Sequence, residues 1–500
     1  MEQDNFFRNS FLLTASNITT GVLGFIFSIY LSNILGAEGM GLYGIIMPIY
    51  NLFICLMTAG IVAAISQYSA IYSSKGQFNT LNKTINTIAF FNVIWSICIG
   101  VIVFIIAPLI SKYGVKDIRT LNAIRVTCPA MVFIALSNIL KGYFYGASKV
   151  LVPAFIDIIE KAMRVIVIAL LIYFFKAKTI SSLVTLAYVS LAIGELQSLL
   201  LLFFSYRKIK KGLPVSYDKP DRKAQLIFNV LVISLPLCLN GFLGNIFSTI
   251  STLIVPRRLV AAGIEYTTAL GLIGKFNAMA LTIVTFPLIV ISSINMLLVP
   301  DLSKSISEGD YYNASVRIRT VLKIAFLLGI ATMIICLLIP DSLGQMFFNR
   351  SDLGPYIKLA ALSAPIFFTA NTMYGILNGL NRQSILLRNS IIISLIEITI
   401  LYIFTAIPSI NIYSYGISIF VTSCISLIIN FHEIKKHIDI PICKFNIIIF
   451  SLLGVLTYLF LKVFSTRLLD GLFISKNIII IILTFGIFAF LSTFGLEEDY

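Results

Sequence analysis

Stretches of about 20 consecutive apolar residues recur from one end of this 500-residue chain to the other; one of them, FNVIWSICIGVIVFIIAPLI (Phe91–Ile110), holds no charge at all. A run of that length, wound as an α-helix, crosses a hydrocarbon layer of roughly 30 Å and satisfies every backbone polar group internally. Long runs without period-2 alternation exclude a β-barrel. With 58% hydrophobic and 12% charged residues and a mean hydropathy of +0.97, the chain lies outside the soluble globular range. The expectation is an all-α integral membrane protein with about fourteen transmembrane helices. The first is expected at about 9–33, the second at 41–66, the fifth at 152–175, the eighth at 267–299 and the tenth at 355–380.

A net charge of +15 would suggest nucleic acid in a soluble protein. Here Lys and Arg gather in short connections, above all RKIKKGLPVSYDKPDRK (Arg207–Lys223), which is the bias that sets membrane orientation, so no nucleic-acid partner is expected. An even number of helices with that segment inside puts both termini in the cytoplasm, in a multi-pass protein of the cytoplasmic membrane. Arg8 precedes an apolar helix without a small-residue cleavage site, which reads as a retained first helix and not a removed signal. The seven cysteines form no CxxC pair and no dense spacing, so neither a disulfide framework nor a metal site is signalled. No cofactor is expected.

The chain says one thing twice. GVLGFIFS (Gly21–Ser28) returns as GFLGNIFS (Gly241–Ser248), GLYG (Gly41–Gly44) as GLIG (Gly271–Gly274), and YGASK (Tyr145–Lys149) is echoed by NGLNR (Asn378–Arg382), in the same order. Such a series indicates a repeat of six helices, and an even repeat runs parallel, related by an axis along the membrane normal. The expected organisation is a first lobe of helices one to six at 1–204, a basic cytoplasmic linker at 205–224, a second lobe of helices seven to twelve at 225–437, and helices thirteen and fourteen with a short acidic tail at 438–500. Gly21, Gly24, Gly241 and Gly244 would let the first helix of each lobe bend or approach its neighbours, and Pro48, Pro236 and Pro287 add kink sites.

The fifth helix carries a polar stripe, Asp157, Glu160, Lys161 and Arg164, in FIDIIEKAMRVIVI. Spacings of three and four place all four on one face, with Asp157–Lys161 and Glu160–Arg164 as i,i+4 pairs. Charges inside a membrane are costly unless they pair or face water, so the stripe is expected to point into a cavity or another helix. Glu195 and Glu397 are further membrane carboxylates, and Lys275, Arg257 and Arg258 further cations. Lys141 and Arg125 are expected to snorkel to the interface. A cationic cavity built from Arg164, Lys275, Arg257 and Arg258 would suit a phosphate-bearing substrate. There is no Walker A sequence, since GLIGK lacks the spacing and the Ser or Thr, and neither HExxH nor GxSxG occurs, so an enzyme is not expected.

GLYGIIMPIYNLF (Gly41–Phe53), LKGYFYGASKVLVPAFIDIIEKAMRV (Leu140–Val165) and VPRRLVAAG (Val255–Gly263) resemble the stage V sporulation protein B group of the MOP superfamily, which also holds MATE exporters and polysaccharide flippases. The resemblance extends over nearly the whole chain. It implies a two-lobed transporter that alternates between inward-open and outward-open states and moves a lipid-linked sugar precursor to the outer leaflet, as MurJ-type flippases move lipid II. Its implied partners are that precursor and membrane lipids, with cell-wall synthesis enzymes as candidates and the spore cortex as the implied destination. In such relatives a cationic cavity meets the diphosphate, which is the role implied for Arg164, Lys275, Arg257 and Arg258. The alternative is a MATE-type multidrug exporter driven by H+ or Na+. That chemistry usually places a carboxylate in the first or seventh helix, where this sequence has none, leaving Glu160, Glu195 and Glu397 for the coupling role. A scaffold for cell-wall enzymes would need a larger soluble segment than the linker provides.

Overall fold

The computed structural model describes residues 2–58, 60–212, 216–440, 444–467 and 473–494. All regular structure among them is helical: α1 (Glu2–Thr58), α2 (Ile61–Ser74), α3 (Phe78–Leu109), α4 (Leu121–Gly146), α5 (Leu151–Phe175), α6 (Ile180–Lys211), α7 (Lys223–Ala261), α8 (Tyr266–Ile273), α9 (Leu281–Thr285), α10 (Leu288–Ser307), α11 (Tyr311–Leu338), α12 (Pro340–Phe348), α13 (Gly354–Leu362), α14 (Ala364–Gly379), α15 (Gln383–Phe404), α16 (Ser414–Lys435), α17 (Lys444–Arg467) and α18 (Phe473–Phe494), with short 3-10 and π turns between some of them. Among the described residues, 12 helices are long and apolar enough to cross a membrane, or 13 if the bent pair α13–α14 is one span. The protein is a multi-pass integral membrane protein.

Several helices are broken where continuous ones are expected. α1 holds one non-helical residue, Gly36 at φ 65°, and this bend falls after the matched glycines Gly21 and Gly24, which stay helical. Only glycine adopts that conformation without a Cβ clash. The expected helix 41–66 stops at Thr58 and restarts at Ile61 after Gly60, φ 77°. A Cβ on Gly60 would lie 2.7 Å from Ser234 Cα of α7, so the break sits where two backbones meet. The expected helix 267–299 is split into α8, a π stretch at Gly274–Ala280, α9 and α10, with Pro287 as the N-cap of α10. The tenth bends by 52° between Leu362 and Ala364, next to Pro365 at the N-terminal turn of α14.

The chain divides into two compact units, Met1–Leu253 and Ile254–Tyr500. The division falls inside α7 and not in the linker 205–224, because the first part of α7 packs on the first unit: Tyr68 donates to the Asn229 carbonyl, Thr249 to the Pro48 carbonyl, and Gly241 approaches Cys55 Sγ. The linker is itself anchored there. Asp218 accepts hydrogen bonds from the Asn79 and Thr80 amides, at 3.2 and 2.7 Å, and from the hydroxyls of Thr80 and Ser216. It thus caps α3 from a distance, where the local N-cap residue Gln77 makes no side-chain bond.

The core of the first unit joins α2, α3, α4 and α6 through Ile65, Ile85, Tyr143, Phe144 and Leu202. Gly142 and Gly146, four apart on α4, allow the close approach to α2: a Cβ on Gly146 would lie 2.7 Å from Ser69 Cβ. In the second unit Leu302, Ile318, Ile376 and Ile434 join α10, α11, α14 and α16. The last two helices, α17 and α18, pack on α11 through Leu461 and Phe488 against Ile330 and Ile334, and leave Leu456, Phe460, Ile482 and Phe490 exposed as an apolar outer face.

Candidate functional site

The polar stripe of α5 meets α1, α4 and α6 inside the first unit. Arg164, whose side chain is 10% exposed, directs Nη2 at two carboxylates: Glu160 one turn earlier on α5, and Glu195 on α6 at 3.3 Å. Lys161 Nζ lies 2.8 Å from the second oxygen of Glu160. Asp157 pairs with Lys141 of α4 at 2.7 Å. The Glu160–Arg164 pair follows the i,i+4 expectation, but Asp157–Lys161 does not form. Lys141, expected to snorkel, turns to Asp157 instead. It is largely buried, and a buried ammonium takes the nearest carboxylate across the helix contact, which leaves Lys161 to its neighbour Glu160.

Local sequence makes this geometry possible. Gly194 precedes Glu195, and a Cβ there would press on Glu160 Oε1 at 3.0 Å, so the missing side chain is what lets the carboxylate of α5 sit against α6. Ser16 of α1 donates to the Ala154 carbonyl at 3.0 Å and fixes α1 along α5. Phe27 places its ring 6.0 Å from the Arg164 guanidinium. Tyr188 of α6 donates to the Tyr43 carbonyl at 2.8 Å and its ring lies 4.9 Å from that of Tyr43.

A cavity of about 240 Å³ opens beside the cluster. Its wall is α1, with Leu23, Gly24, Phe27, Ser28, Leu31, Met40, Tyr43 and Met47, and its charged lining is Lys161 and Arg164. Gly24 therefore has a different role from a bend: a Cβ there would meet nothing within 4 Å, and the position widens the cavity. Gly241, in contrast, is a close approach, with Cys55 Sγ 2.8 Å from where its Cβ would be. An apolar wall with two adjacent cations suits a ligand that is part hydrocarbon or sugar and part anion.

The remaining cation candidates lie in the second unit and do not form one group with each other. Lys275, in the π stretch after α8, pairs with Asp352 at 2.7 Å, and Arg350 holds the same carboxylate in a bidentate grip at 2.7 and 2.8 Å. The hydrogen bonds from Arg350, then those from Lys275, keep the Asp352 carboxyl well below the usual carboxylate range against the opposing effect of burial. Arg258 stacks on the Tyr402 ring at 4.1 Å and donates to the Tyr402 carbonyl at 2.8 Å. Arg257 is exposed, and Glu397 is half-buried on α15. Arg125 lies over the Phe104 ring at 5.0 Å. Tyr43, Tyr50 and Tyr188 went unnoticed in the sequence. Their signal was spacing: Tyr43 and Tyr50 are seven apart on α1, as Tyr188 and Glu195 are on α6, which puts each pair on one helix face.

Similarity to known proteins agrees with this architecture. Residues 6–306, more than half the chain, match the family described as polysaccharide biosynthesis protein. Stage V sporulation protein B of Bacillus subtilis (strain 168) is 25% identical over 445 residues, which is 88% of this chain and 86% of that one. The solved structure of the lipid II flippase MurJ in an inward closed conformation superposes with a TM-score of 0.70 at 15% identity, over 98% of this chain and 100% of that chain. An inward-facing multidrug-resistance MATE transporter of the MOP superfamily gives 0.63 at 16% identity, over 84% and 96%. The chain thus belongs to the polysaccharide biosynthesis protein family and shares its fold with solved MurJ and MATE structures of the MOP superfamily.

Proposed function

We propose that this protein moves a lipid-linked sugar precursor, of the lipid II kind, from the inner to the outer leaflet of the cytoplasmic membrane by alternating access, in cell-wall or spore-cortex synthesis. The observation that carries the reading is the pairing of Lys161 and Arg164 on one side of a cavity otherwise lined by apolar side chains of α1. Guanidinium and ammonium groups supply directed donors to phosphate oxygens, while the apolar wall accommodates the less polar parts of the ligand. Likeness to a lipid II flippase supports this substrate class, and likeness to a stage V sporulation protein supports the link to sporulation.

In this reading the protein has fourteen spans. The stretch Leu12–Ser74 is too long for one crossing and counts as two, split at Gly36; α5, with four charges, counts as a span although it is less apolar; and α8, α9 and α10 together make one. The two lobes are 1–204 and 225–437, with 438–500 as an addition and both termini cytoplasmic. The basic linker lies on the cytoplasmic side, where positively charged connections accumulate. Within the second unit, Lys275, Arg257 and Arg258 are the anion-binding candidates of this reading.

A MATE-type exporter is the second reading, favoured by the buried carboxylates Glu160 and Glu195. Both are tied to Arg164, which makes them poor ligands for a cationic drug as they stand. The test is translocation of fluorescent lipid II in liposomes containing the purified protein, beside uptake of a cationic dye in the same vesicles. Lipid II movement without dye uptake is the expected result. Dye uptake driven by a proton or sodium gradient, without lipid II movement, overturns the proposal.

A further inference from the structure

The charges at the α4–α5–α6 contact cancel. Lys141, Lys161 and Arg164 face Asp157, Glu160 and Glu195, three cations against three carboxylates, and every cation has a carboxylate partner. An anion entering the cavity therefore meets no surplus positive charge. To hold a phosphate, Arg164 and Lys161 must turn donors away from the carboxylates they now serve.

The two carboxylates on Arg164 are not equally held. Glu160 is gripped from both sides, by Arg164 and by Lys161. Glu195 has a single ion-pair contact, 3.3 Å long, to the same Nη2 that Glu160 uses, and its side chain is 9% exposed, so water does little to replace a lost partner. Arg164 Nε is buried with no hydrogen-bond partner, so the two carboxylates do not satisfy the whole guanidinium. When a phosphate draws the guanidinium toward the cavity, Glu195 loses its cation first. A carboxylate left buried without a partner avoids a large desolvation cost by binding a proton.

We propose that Glu195 is a proton-binding site linked to occupancy of the cavity by an anionic headgroup: ionised on Arg164 when the cavity is empty, protonated when a phosphate occupies Lys161 and Arg164. This rests on the anion-carrying reading above. One proton enters from bulk water for each phosphate group bound and leaves when the group departs, with no covalent change. The groups that face Glu195 are Tyr50 of α1, Lys141 of α4, and Glu160, Lys161 and Arg164 of α5; Tyr43 of α1 and Tyr188 of α6 adjoin them, and Asp157 is neutralised by Lys141. Arg119, with Asp117 and Glu38, lies near the other end of α6, where Ser181 donates to the Arg119 carbonyl, and it takes no part. Among these groups Glu195 is the acceptor most easily freed. Protons and anionic headgroup would therefore bind synergistically, the opposite of an exchanger in which the two compete.

The experiment titrates the purified protein in lipid nanodiscs with a fluorescent farnesyl diphosphate between about pH 6 and 8, in wild type and in Glu195→Gln. Full linkage to one proton changes affinity by up to about tenfold per pH unit. Wild type is expected to bind more tightly as pH falls, with a steeper slope than Glu195→Gln, which should bind at the upper pH about as tightly as wild type at the lower. Comparing the two slopes cancels the titration of the probe itself. Equal slopes with binding intact overturn the proton link and leave the anion reading standing, whereas no binding by either protein at any pH overturns both. Should the variant fail to fold, wild-type calorimetry in two buffers of different ionisation heat at about pH 8 decides: uptake near one proton per probe supports the link, and zero uptake overturns it.

Discussion

Replacing Arg164 by Gln strands a carboxylate, and the size of the effect follows from the cluster. Glu160 keeps Lys161 at 2.8 Å, but Glu195 keeps no ion pair in a setting only 9% exposed. Breaking a buried pair by removing one partner costs about 3–5 kcal/mol. The penalty has a ceiling, because the stranded group can always take a proton instead. From an ordinary glutamate value near 4.3, neutralisation costs about 3.7 kcal/mol at pH 7 and about 1 kcal/mol at pH 5, at 1.36 kcal/mol per unit. At roughly 2–4 °C per kcal/mol for a unit of this size, the midpoint should fall by about 7–15 °C at pH 7 and about 2–4 °C at pH 5. Thermal unfolding in detergent, followed with a thiol-reactive dye that reports exposure of the buried Cys128 and Cys336, measures both. The double variant Arg164→Gln/Glu195→Gln removes the stranded charge and should recover most of the loss at pH 7. A deficit that does not change with pH, or no recovery in the double variant, would refute the reasoning.

Gly146→Ala should destabilise by about 1–3 kcal/mol through overpacking against Ser66 and Ser69 of α2, while Gly44→Ala, where a Cβ meets nothing within 4 Å, should be neutral or slightly stabilising; melting of the two variants side by side checks this. Gly36→Ala places a Cβ at φ 65° and should cost about 1–2 kcal/mol, read by the same assay. The Asp218 clasp has a defined pH window. Burial raises its value, but hydrogen bonds from the Ser216 and Thr80 hydroxyls and from the Thr80 and Asn79 amides outweigh that and lower it to about 2. Because the folded value is depressed, the clasp is at full strength above the unfolded value near 3.9 and is lost as pH falls through about 2. At neutral pH, Asp218→Asn should therefore speed tryptic cleavage after the exposed Arg222, and an unchanged rate would contradict the anchoring role.

Much of the architecture was legible because the membrane constrains it. Apolar runs and loop charge are local signals, and they located the helices on either side of Asp218 and the stripe on α5. The breaks were less legible. Gly36 looks like any other membrane glycine, and its bend depends on a positive φ that no spacing pattern reveals; Gly60 is needed because Ser234, far away in sequence, passes close by. The same limit applied to the site. Glu160–Arg164 could be read from one helix, because both residues sit on one face a turn apart. Asp157–Lys141, Arg164–Glu195 and Lys275–Asp352 join different helices, and their pairing depends on packing that one sequence does not encode locally. The consequence was chemical as well as geometric, since Arg164, read as part of a cationic cavity, sits in a cluster whose three cations and three carboxylates balance.

The most direct test of the central claim compares lipid II movement by wild type and by Arg164→Gln/Glu195→Gln, in liposomes matched for inserted protein. The double variant is expected to retain its stability, so insertion and function are separated, while its cavity loses the guanidinium that would hold the diphosphate. The account predicts protein-dependent appearance of fluorescent lipid II in the opposite leaflet with wild type and a rate near the protein-free background with the variant. Movement by the variant at the wild-type rate, or none by wild type, would contradict it.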